Sequence, residues 1–218
     1  MARQARSEVT RRKIIDAAVE LFSEIGYPAT GLGDIIERAD LTKGAFYYHF
    51  DAKEALAEAI IEEAGARMLA TFRTIRGSSS PALENLVHGL FVVTDFAVSD
   101  QLAWIGMQLL RTFSGLNEAV GRVYGSWLDD LAELVGQAGA EGDLRDDLDI
   151  KSTAEVILGS MLGAEALSRA TSTSSDLRER VTRTWELLLP AIVSDESLDY
   201  FREFLARESL RRSPFADT

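Results

Sequence analysis

The sequence has no cysteine and only two histidines, which excludes several kinds of site. Without cysteine the chain forms no disulfide, presents no thiolate nucleophile and offers no sulfur ligand to a metal. The two histidines, His49 and His88, lie far apart along the chain, so the close spacing of a histidine metal site is missing. We therefore expect neither a metal site nor a cofactor.

Long hydrophobic runs and targeting signals are also missing from the sequence. No apolar stretch approaches the roughly 18–20 residues that a membrane span needs, and no signal peptide opens the chain. The composition, 46% hydrophobic and 27% charged, is that of a globular protein rather than a disordered one. We expect a cytoplasmic protein without a membrane partner, with one large core or two small domains.

Positive charge is scarce, since the formal net charge is -12 at pH 7. An acidic surface repels phosphate, which argues at first against a nucleic-acid partner. The charge is unevenly distributed: residues 1–55 hold eight Lys/Arg and nine Asp/Glu, and residues 1–13 hold five bases against one acid. A locally basic start joined to an acidic remainder is compatible with DNA binding, although a basic tail that only aids solubility fits equally well.

Apolar residues recur at helical spacing almost throughout, and no convincing strand alternation is present, so the predicted fold class is all-α. The first four helices are expected from about Val9 to Ile25 with Gly26 as C-cap, from Thr30 as N-cap to Ala39, from Thr42 as N-cap to about Phe50, and from Asp51 to about Arg73. Beyond a break at 76–81, helices are expected over about 81–99, 101–114, 117–140, 150–170, 175–193 and 196–211.

The second and third helices, joined by a tight turn and braced by the longer first helix, form a helix-turn-helix. Thr42-Lys43-Gly44-Ala45 places a capping hydroxyl, a cation and two very small side chains at a helix N-terminus, which suits phosphate contact. Lys43 can reach a guanine edge or a phosphate, and small side chains let the backbone approach DNA. Hydrogen-bonding groups follow at Tyr47, Tyr48 and His49, and a cation at Lys53.

Each of these residues also has a plainer interpretation. Phe46 and Phe50, four residues apart, anchor the short helix in the domain core. Thr42 is a helix cap whether or not it contacts DNA. Lys43 and Lys53 would, by themselves, be ordinary solvated charges.

Residues 41–56, Leu-Thr-Lys-Gly-Ala-Phe-Tyr-Tyr-His-Phe-Asp-Ala-Lys-Glu-Ala-Leu, resemble the helix-turn-helix of the TetR family of bacterial regulators. The positions of that family's pattern are filled by Thr42, Gly44, Phe46, Tyr47, Phe50 and Lys53. Two residues depart from it, Ile36 where alanine is common and Asp40 where glycine is common in the turn. Because aspartate tolerates the left-handed backbone better than most residues, we expect the turn to survive.

The resemblance implies a three-helix DNA-binding domain over residues 1–55, a linking helix to about 76, and a helical ligand-binding and dimerisation domain over 77–218. It implies double-stranded DNA with a palindromic operator as partner. The residues that it places on DNA are Thr30, Thr42, Lys43, Gly44, Ala45, Tyr47, Tyr48, His49 and Lys53.

The opening Met-Ala-Arg-Gln-Ala-Arg and the placement of the tryptophans are similar to the γ-butyrolactone autoregulator receptors of that family. In those receptors a pocket tryptophan on the corresponding helix packs against the lactone, and Trp127 matches it. The other candidate pocket residues are Val87, Phe91, Trp104, Met107, Gln108 and Tyr124. For any one of them, periodicity alone favours a filled core. The resemblance implies a small apolar or amphipathic effector.

A small-residue stripe, Gly159, Gly163, Ala166 and Ala170, lets two helices approach closely. The following helix presents Leu177, Val181, Thr184, Leu188 and Ile192 as the matching face. A four-helix interface between two subunits is one interpretation, and packing within one subunit is the other. The resemblance favours the homodimer.

The predicted function is a dimeric, ligand-responsive repressor released from its operator by a small, largely apolar effector such as a γ-butyrolactone. A repressor of the same type that answers another apolar compound, in efflux or lipid metabolism, is the alternative. A helical interaction protein whose helix-turn-helix does not read DNA is a more remote alternative. An enzyme is also remote, because paired histidines and a phosphate loop are missing and the acids Asp129, Asp130 and Glu133 share one helix.

Overall fold

The structure is a computed structural model that describes residues 2–76, 81–113, 117–172 and 175–211. Within these ranges the chain forms α-helices, so the predicted all-α class is confirmed. The helices are α1 Ala2–Ile25, α2 Leu32–Arg38, α3 Lys43–Tyr47, α4 Lys53–Arg76, α5 Ala82–Ser99, α6 Gln101–Thr112, α7 Glu118–Ala140, α8 Ile150–Ser172, α9 Leu177–Ile192 and α10 Leu198–Ser209. Among the described residues, the β pairing is confined to one isolated bridge, between Leu144 and Val193.

Most helix bounds agree with the expected ones within a few residues, and α1 is the main exception. It begins at Ala2 instead of about Val9. The added residues are alanine and polar residues without a glycine or proline, so they propagate the helix although they carry no apolar periodicity. The predicted break at 76–81 falls mainly on residues outside the described ranges.

The helices group into two compact units that divide the chain differently from the predicted domains. Unit 1 comprises residues 1–67 and 100–123, and unit 2 comprises residues 68–99 and 124–218. Helix α6 therefore belongs with the N-terminal helices, where it packs on α1. The functional division at residues 55 and 77 stays a prediction.

Unit 1 is built on the apolar face of α1, which packs on α2 and α6, and buried side chains of α3 and α4 complete its core. The fully buried members include Ile14, Ile15, Ala18, Ile35, Phe46, Leu56 and Ile60. Gly26 ends α1 with a φ of 82°, as predicted for a C-cap glycine. Because burial on these facing helices removes apolar surface from water, the short helices α2 and α3 are held by packing rather than by length.

The turn between α2 and α3 has the left-handed residue that the sequence predicts. Asp40 has a φ of 54°, and its N–H donates to the Glu37 carbonyl at 3.0 Å. The Leu41 N–H donates to the Ile36 carbonyl at 3.1 Å. These two bonds form a Schellman motif, which satisfies the last carbonyls of α2 and sets the direction of the chain into α3.

Unit 2 is organised around α9, which packs on α8, α10 and α5. Trp185 lies fully buried at its centre. The buried stripe of α9 is Leu177, Val181, Trp185, Leu189 and Ile192, at the spacing of one helix face. Proline at position 190 falls in the last turn of the helix.

Among the described residues one helix, α5, has the length and the mean hydropathy, 1.2, that a membrane span can have. It carries the polar residues Glu84, His88 and Asp95, and 56% of it is buried inside the protein. These properties are those of a core helix, and by themselves they are weak evidence for a membrane.

Candidate DNA-binding and effector sites

The N-terminus of α3 is capped as the sequence predicts. Thr42 has extended backbone, and its Oγ1 accepts a hydrogen bond from the Ala45 N–H at 3.2 Å. The side chains of Thr42 and Lys43 are exposed. Gly44 is also exposed, and a Cβ added there would meet nothing within 4 Å. The first turn of α3 is therefore open to solvent, with its free N–H groups at that end.

Two phenylalanines fix which face of α3 is exposed. Phe46 and Phe50 are buried in unit 1, with ring centroids 6.0 Å apart, which agrees with the anchoring role predicted for them. Tyr47 and Tyr48 consequently lie on the outside, with 52% and 69% of their surface exposed. Both phenol groups are free to reach a partner, as the predicted DNA contacts require.

His49 lies beside a cation from α1 that sequence reasoning did not single out. The Arg11 guanidinium is 5.3 Å from the centroid of the Phe50 ring. Burial and, secondarily, the charge of Arg11 lower the pKa of His49 below its ordinary value. The sequence signal for Arg11 was its place in the basic segment 1–13. The structure adds that this segment brings a cation to the end of α3.

Lys53 is held inside unit 1, unlike the free cation expected at this position. Its Nζ donates to the backbone carbonyls of Tyr27, at 3.0 Å, and Thr30, at 2.8 Å. The ammonium also lies 4.4 Å from the centroid of the Tyr27 ring. Lys53 therefore ties the start of α4 to the loop between α1 and α2.

Thr30 is buried, and the prediction that it caps α2 is wrong. Gly31 is the N-cap, and its N–H donates to the Asp34 carboxylate at 2.9 Å. The Thr30 hydroxyl donates instead to the Gly26 carbonyl at 2.8 Å. Only 1% of Thr30 is exposed, so its side chain offers no surface to a DNA backbone.

Polar side chains of α4 hold that helix to its neighbours in unit 1. Glu63 pairs with Arg12 of α1 at 2.5 Å, and Glu62 pairs with Arg122 of α7 at 2.6 Å. The Asn117 amide donates to Glu58 at 2.8 Å. Since the pairs join α4 to two other helices, they set its orientation within the unit.

The sensor residues assigned to unit 2 are packed by other side chains. Val87, Phe91 and Trp127 are buried. The Trp127 ring lies 5.3 Å from that of Phe72, centroid to centroid. The Arg178 guanidinium lies 4.8 Å from the centroid of the Phe91 ring. These residues form part of the filled core of unit 2.

The remaining sensor residues lie on α6 and at the start of the second segment of unit 2. Trp104, Met107 and Gln108 share one face of α6 and are half-buried in unit 1. Tyr124, also half-buried, belongs to unit 2. That these side chains converge with Trp127 on one ligand stays a prediction.

The small-residue stripe of α8 is exposed, as a partner helix would require. Its four residues, Gly159, Gly163, Ala166 and Ala170, all reach solvent, and so does the neighbouring Leu167. A groove of about 460 Å³ lies between α8, at Gly163 and Leu167, and α9, where Leu188 is half-buried and Leu187 is 79% exposed. Val181 does not belong to this surface. It is 1% exposed and packs on the Trp185 side of α9, inside its own subunit.

Two of the three acids weighed as enzyme candidates, Asp130 and Glu133, have ordinary partners. Asp130 is buried and accepts hydrogen bonds from Arg73 at 2.6–3.1 Å. Glu133 accepts from Gln137 at 3.2 Å. Within the described ranges, no cluster of three or more His, Asp and Glu side chains has a geometry that could hold a metal ion.

Comparison with known proteins assigns both parts of the chain. Residues 14–60 match the model of bacterial regulatory proteins of the tetR family, and residues 80–194 match a tetracyclin repressor-like C-terminal domain. The A-factor receptor protein of Streptomyces griseus is 32% identical over 192 residues, which are 88% of this chain and 67% of that protein. The HTH-type transcriptional repressor DhaR of Mycobacterium sp. (strain GP1) is 25% identical, over 86% of this chain and 97% of that protein.

Solved structures of the same fold include receptors and a complex with DNA. A gamma-butyrolactone receptor (ArpA-like protein) has a TM-score of 0.74 at 27% identity, over 94% of this chain and 98% of that one. CprB from Streptomyces coelicolor, in complex with its operator sequence, has a TM-score of 0.71 at 28% identity, over 93% of this chain and 97% of that one.

Proposed function

The chain belongs to the TetR family of bacterial regulatory proteins, and we propose that it is a homodimeric repressor that releases its operator when a small amphipathic effector binds. As a member of that family it is a DNA-binding transcriptional regulator and not an enzyme. One observation carries the proposal: α3 presents a capped, open N-terminus and two exposed tyrosines over buried phenylalanine anchors. A regulator of operator DNA acts in the bacterial cytoplasm.

The proposed contacts with DNA follow from the exposed face of α3. The Lys43 ammonium and the N–H groups of the first turn suit phosphate or a guanine edge. Tyr47, Tyr48 and His49 add hydrogen bonds along the helix. Arg11 supplies a further cation, while Lys53 supports the loop that precedes α2 and contributes no free charge of this kind.

Dimerisation is proposed because one copy of α3 can contact only a few base pairs. α3 has five residues, so few groups can touch base edges. Two copies spaced about one DNA turn, ~34–36 Å, would engage adjacent major grooves of a palindrome. The exposed stripe of α8 and Leu187 of α9 supply an apolar surface that a second copy would cover.

A neutral, amphipathic effector such as a γ-butyrolactone is supported by the similar proteins and by Trp127. Several are named as receptors for A-factor or for gamma-butyrolactone. The contact of Trp127 with Phe72 gives a ligand an aromatic wall if Phe72 moves aside. A ligand that favours one tilt of α4 would shift the population, and a tenfold loss of operator affinity needs only ~1.4 kcal/mol.

A second candidate is a repressor that answers a different apolar compound. SmeT, the repressor of the Stenotrophomonas maltophilia multidrug efflux pump SmeDEF, has the same fold with a TM-score of 0.70 at 26% identity, over 85% of this chain and 91% of that one. The same apolar residues around Trp127 would then take a bulkier hydrophobic ligand.

The test measures the electrophoretic mobility of the full chain with its own upstream DNA. We expect a retarded protein–DNA complex that dissociates when lactones are added. We expect the complex of Trp127→Ala to form but not to dissociate with lactone. Lys43→Ala and Tyr47→Phe should weaken the complex without changing the dimer, whereas the exposed Lys151→Ala serves as a control without effect. A complex unaffected by lactones and by Trp127→Ala would favour the second candidate. Unchanged binding in both α3 variants would refute the assignment of the reading helix.

A further inference from the structure

A cavity of about 590 Å³ lies in unit 2, on a face of α5 next to the one that carries Val87 and Phe91. Neither Trp127 nor any other proposed effector contact lines it. Its volume is in the range of small-molecule sites, roughly 300–1,000 Å³. The apolar part of the wall is formed by Ile75 of α4 and by Val92 and Phe96 of α5.

The polar end of the cavity is an ion cluster whose carboxylates are already occupied. Asp95 accepts from Arg178 at 2.7 Å, and Glu208 lies 2.7 Å from His88 Nδ1. The Arg178 guanidinium also donates to the Glu208 backbone carbonyl at 2.7 Å. Because Glu208 is 3% exposed and Asp95 is also largely enclosed, little acceptor capacity remains there for a cationic ligand.

Hydrogen-bond donors, in contrast, are in excess at the same end. Arg211 lines the cavity with 61% of its side chain exposed. Its Nη1 lies 3.3 Å from Glu208 and 3.2 Å from His88. A guanidinium has five N–H groups, and those on Nη2 and Nε make no hydrogen bond with the described residues. An apolar wall next to surplus guanidinium donors is complementary to a carboxylate that carries a hydrocarbon tail.

We propose that this cavity binds a small amphipathic carboxylate, with its tail against Ile75, Val92 and Phe96 and its carboxylate on Arg211. The site is separate from the proposed effector contacts at Trp127, so the two proposals stand or fall independently. Ile75 lies in the last turns of α4, so an occupant would contact the helix that begins at Lys53.

The proposal is tested by isothermal titration calorimetry of the full-length protein with octanoate. Octanamide and octylamine are the neutral and cationic probes of matched length. We expect saturable binding of octanoate, at least tenfold weaker binding of both other probes, and a loss of about tenfold for octanoate in Arg211→Gln, since one charge-assisted contact is removed. Binding of octanamide should not change in that variant.

Three further variants separate this site from its surroundings. Arg207→Gln removes an equally exposed guanidinium of α10 that does not line the cavity, and it should leave octanoate affinity unchanged. Val92→Phe fills the cavity and should abolish binding, with a thermal melt to establish that the variant folds. Trp127→Phe should bind octanoate as the parent does. Equal affinity for octylamine, indifference to Arg211→Gln, or the absence of saturable heat at millimolar octanoate would overturn the proposal.

Discussion

Gly106 of α6 lies against Ala64 of α4 so closely that no side chain fits between them. A Cβ built on Gly106 would lie 2.1 Å from the Ala64 Cβ, far inside any real contact distance. A second glycine, Gly65 of α4, has the same relation to α7, where an added Cβ would lie 2.8 Å from Val123. Two glycines thus let α6 and α7 approach α4 within unit 1, and no flexible side chain separates the helices at these points.

The first prediction is that Gly106→Ala destabilises the protein. The added methyl forces α6 and α4 apart, and overpacking of this kind costs about 1–3 kcal/mol, which exceeds the roughly 0.5–1 kcal/mol that alanine contributes in a helix. Gly121→Ala on α7 is the matched control, because a Cβ there meets nothing within 4 Å. It should raise the free energy of unfolding in urea. Destabilisation by both variants to the same extent would contradict the packing argument.

The second prediction separates Lys43, the first residue of α3, from Lys53, the first residue of α4. Lys43→Ala should weaken operator binding and make the slope of log affinity against log salt less steep by about 1 for each subunit, or about 2 for the dimer, as the loss of one phosphate contact per subunit does. Lys53→Met should leave that slope unchanged and lower the free energy of unfolding, because it deprives the Tyr27 and Thr30 carbonyls of their donor. Fluorescence anisotropy at several salt concentrations and urea melts decide the matter. A reduced slope in Lys53→Met would assign that residue to DNA after all.

The third prediction concerns the α8–α9 surface. Leu187→Glu should convert a dimer to a monomer, measured by sedimentation equilibrium, since a charge replaces an apolar side chain at the proposed interface. Leu210→Glu is the control, since Leu210 is 85% exposed at the end of α10 and away from that surface. Because both positions are exposed, neither substitution should alter the circular dichroism spectrum. Dimers of unchanged strength in Leu187→Glu would place the interface elsewhere.

The fourth prediction is a pH dependence of operator binding through His49. Burial and the charge of Arg11 lower the pKa of His49 in the free protein below its value in the unfolded chain, which is about 6.5. As the pH falls through that value, the unfolded chain binds more protons at this residue than the folded chain does. The contribution of His49 to stability therefore decreases as the pH falls. A DNA phosphate beside His49 would raise the same pKa, so binding should take up a proton and strengthen between pH 7.5 and 6. His49→Gln should remove that part of the dependence. An unchanged dependence in His49→Gln would show that His49 does not contact phosphate.

The helix order and the exposed face of α3 could be predicted because they depend on local patterns. Phe46 and Phe50 recur at the period of one helix face, and Thr42 has the side chain that caps a helix. Asp40 takes the left-handed conformation expected of it in the turn. Each of these features follows from a few adjacent residues, so a single sequence contains the information.

The features that could not be predicted depend on distant partners. Lys53 donates hydrogen bonds to carbonyls 26 and 23 residues earlier in the chain, and no local pattern indicates that these carbonyls lack another partner. Val181 fits two apolar stripes of α9, one that continues to Leu188 and one that continues to Trp185. Trp185 is the buried one, so the stripe that contains it faces the core. The close approach of α6 to α4 likewise depends on Gly106, whose contact with Ala64 spans 42 positions.

The open space around Gly44 separates what the fold requires at this position from what the proposed operator contact would require. The fold has no use for a glycine there, since the backbone is helical and an added methyl touches nothing. Under the proposed function, a requirement for a small residue at that position would come from the operator. Gly44→Ala should therefore leave the fold intact, as expected of Gly121→Ala, and under the proposed function its cost would fall on operator binding. Under the proposed function, such a position lets operator affinity, and with it the expression of the target genes, change while the fold of the regulator is preserved.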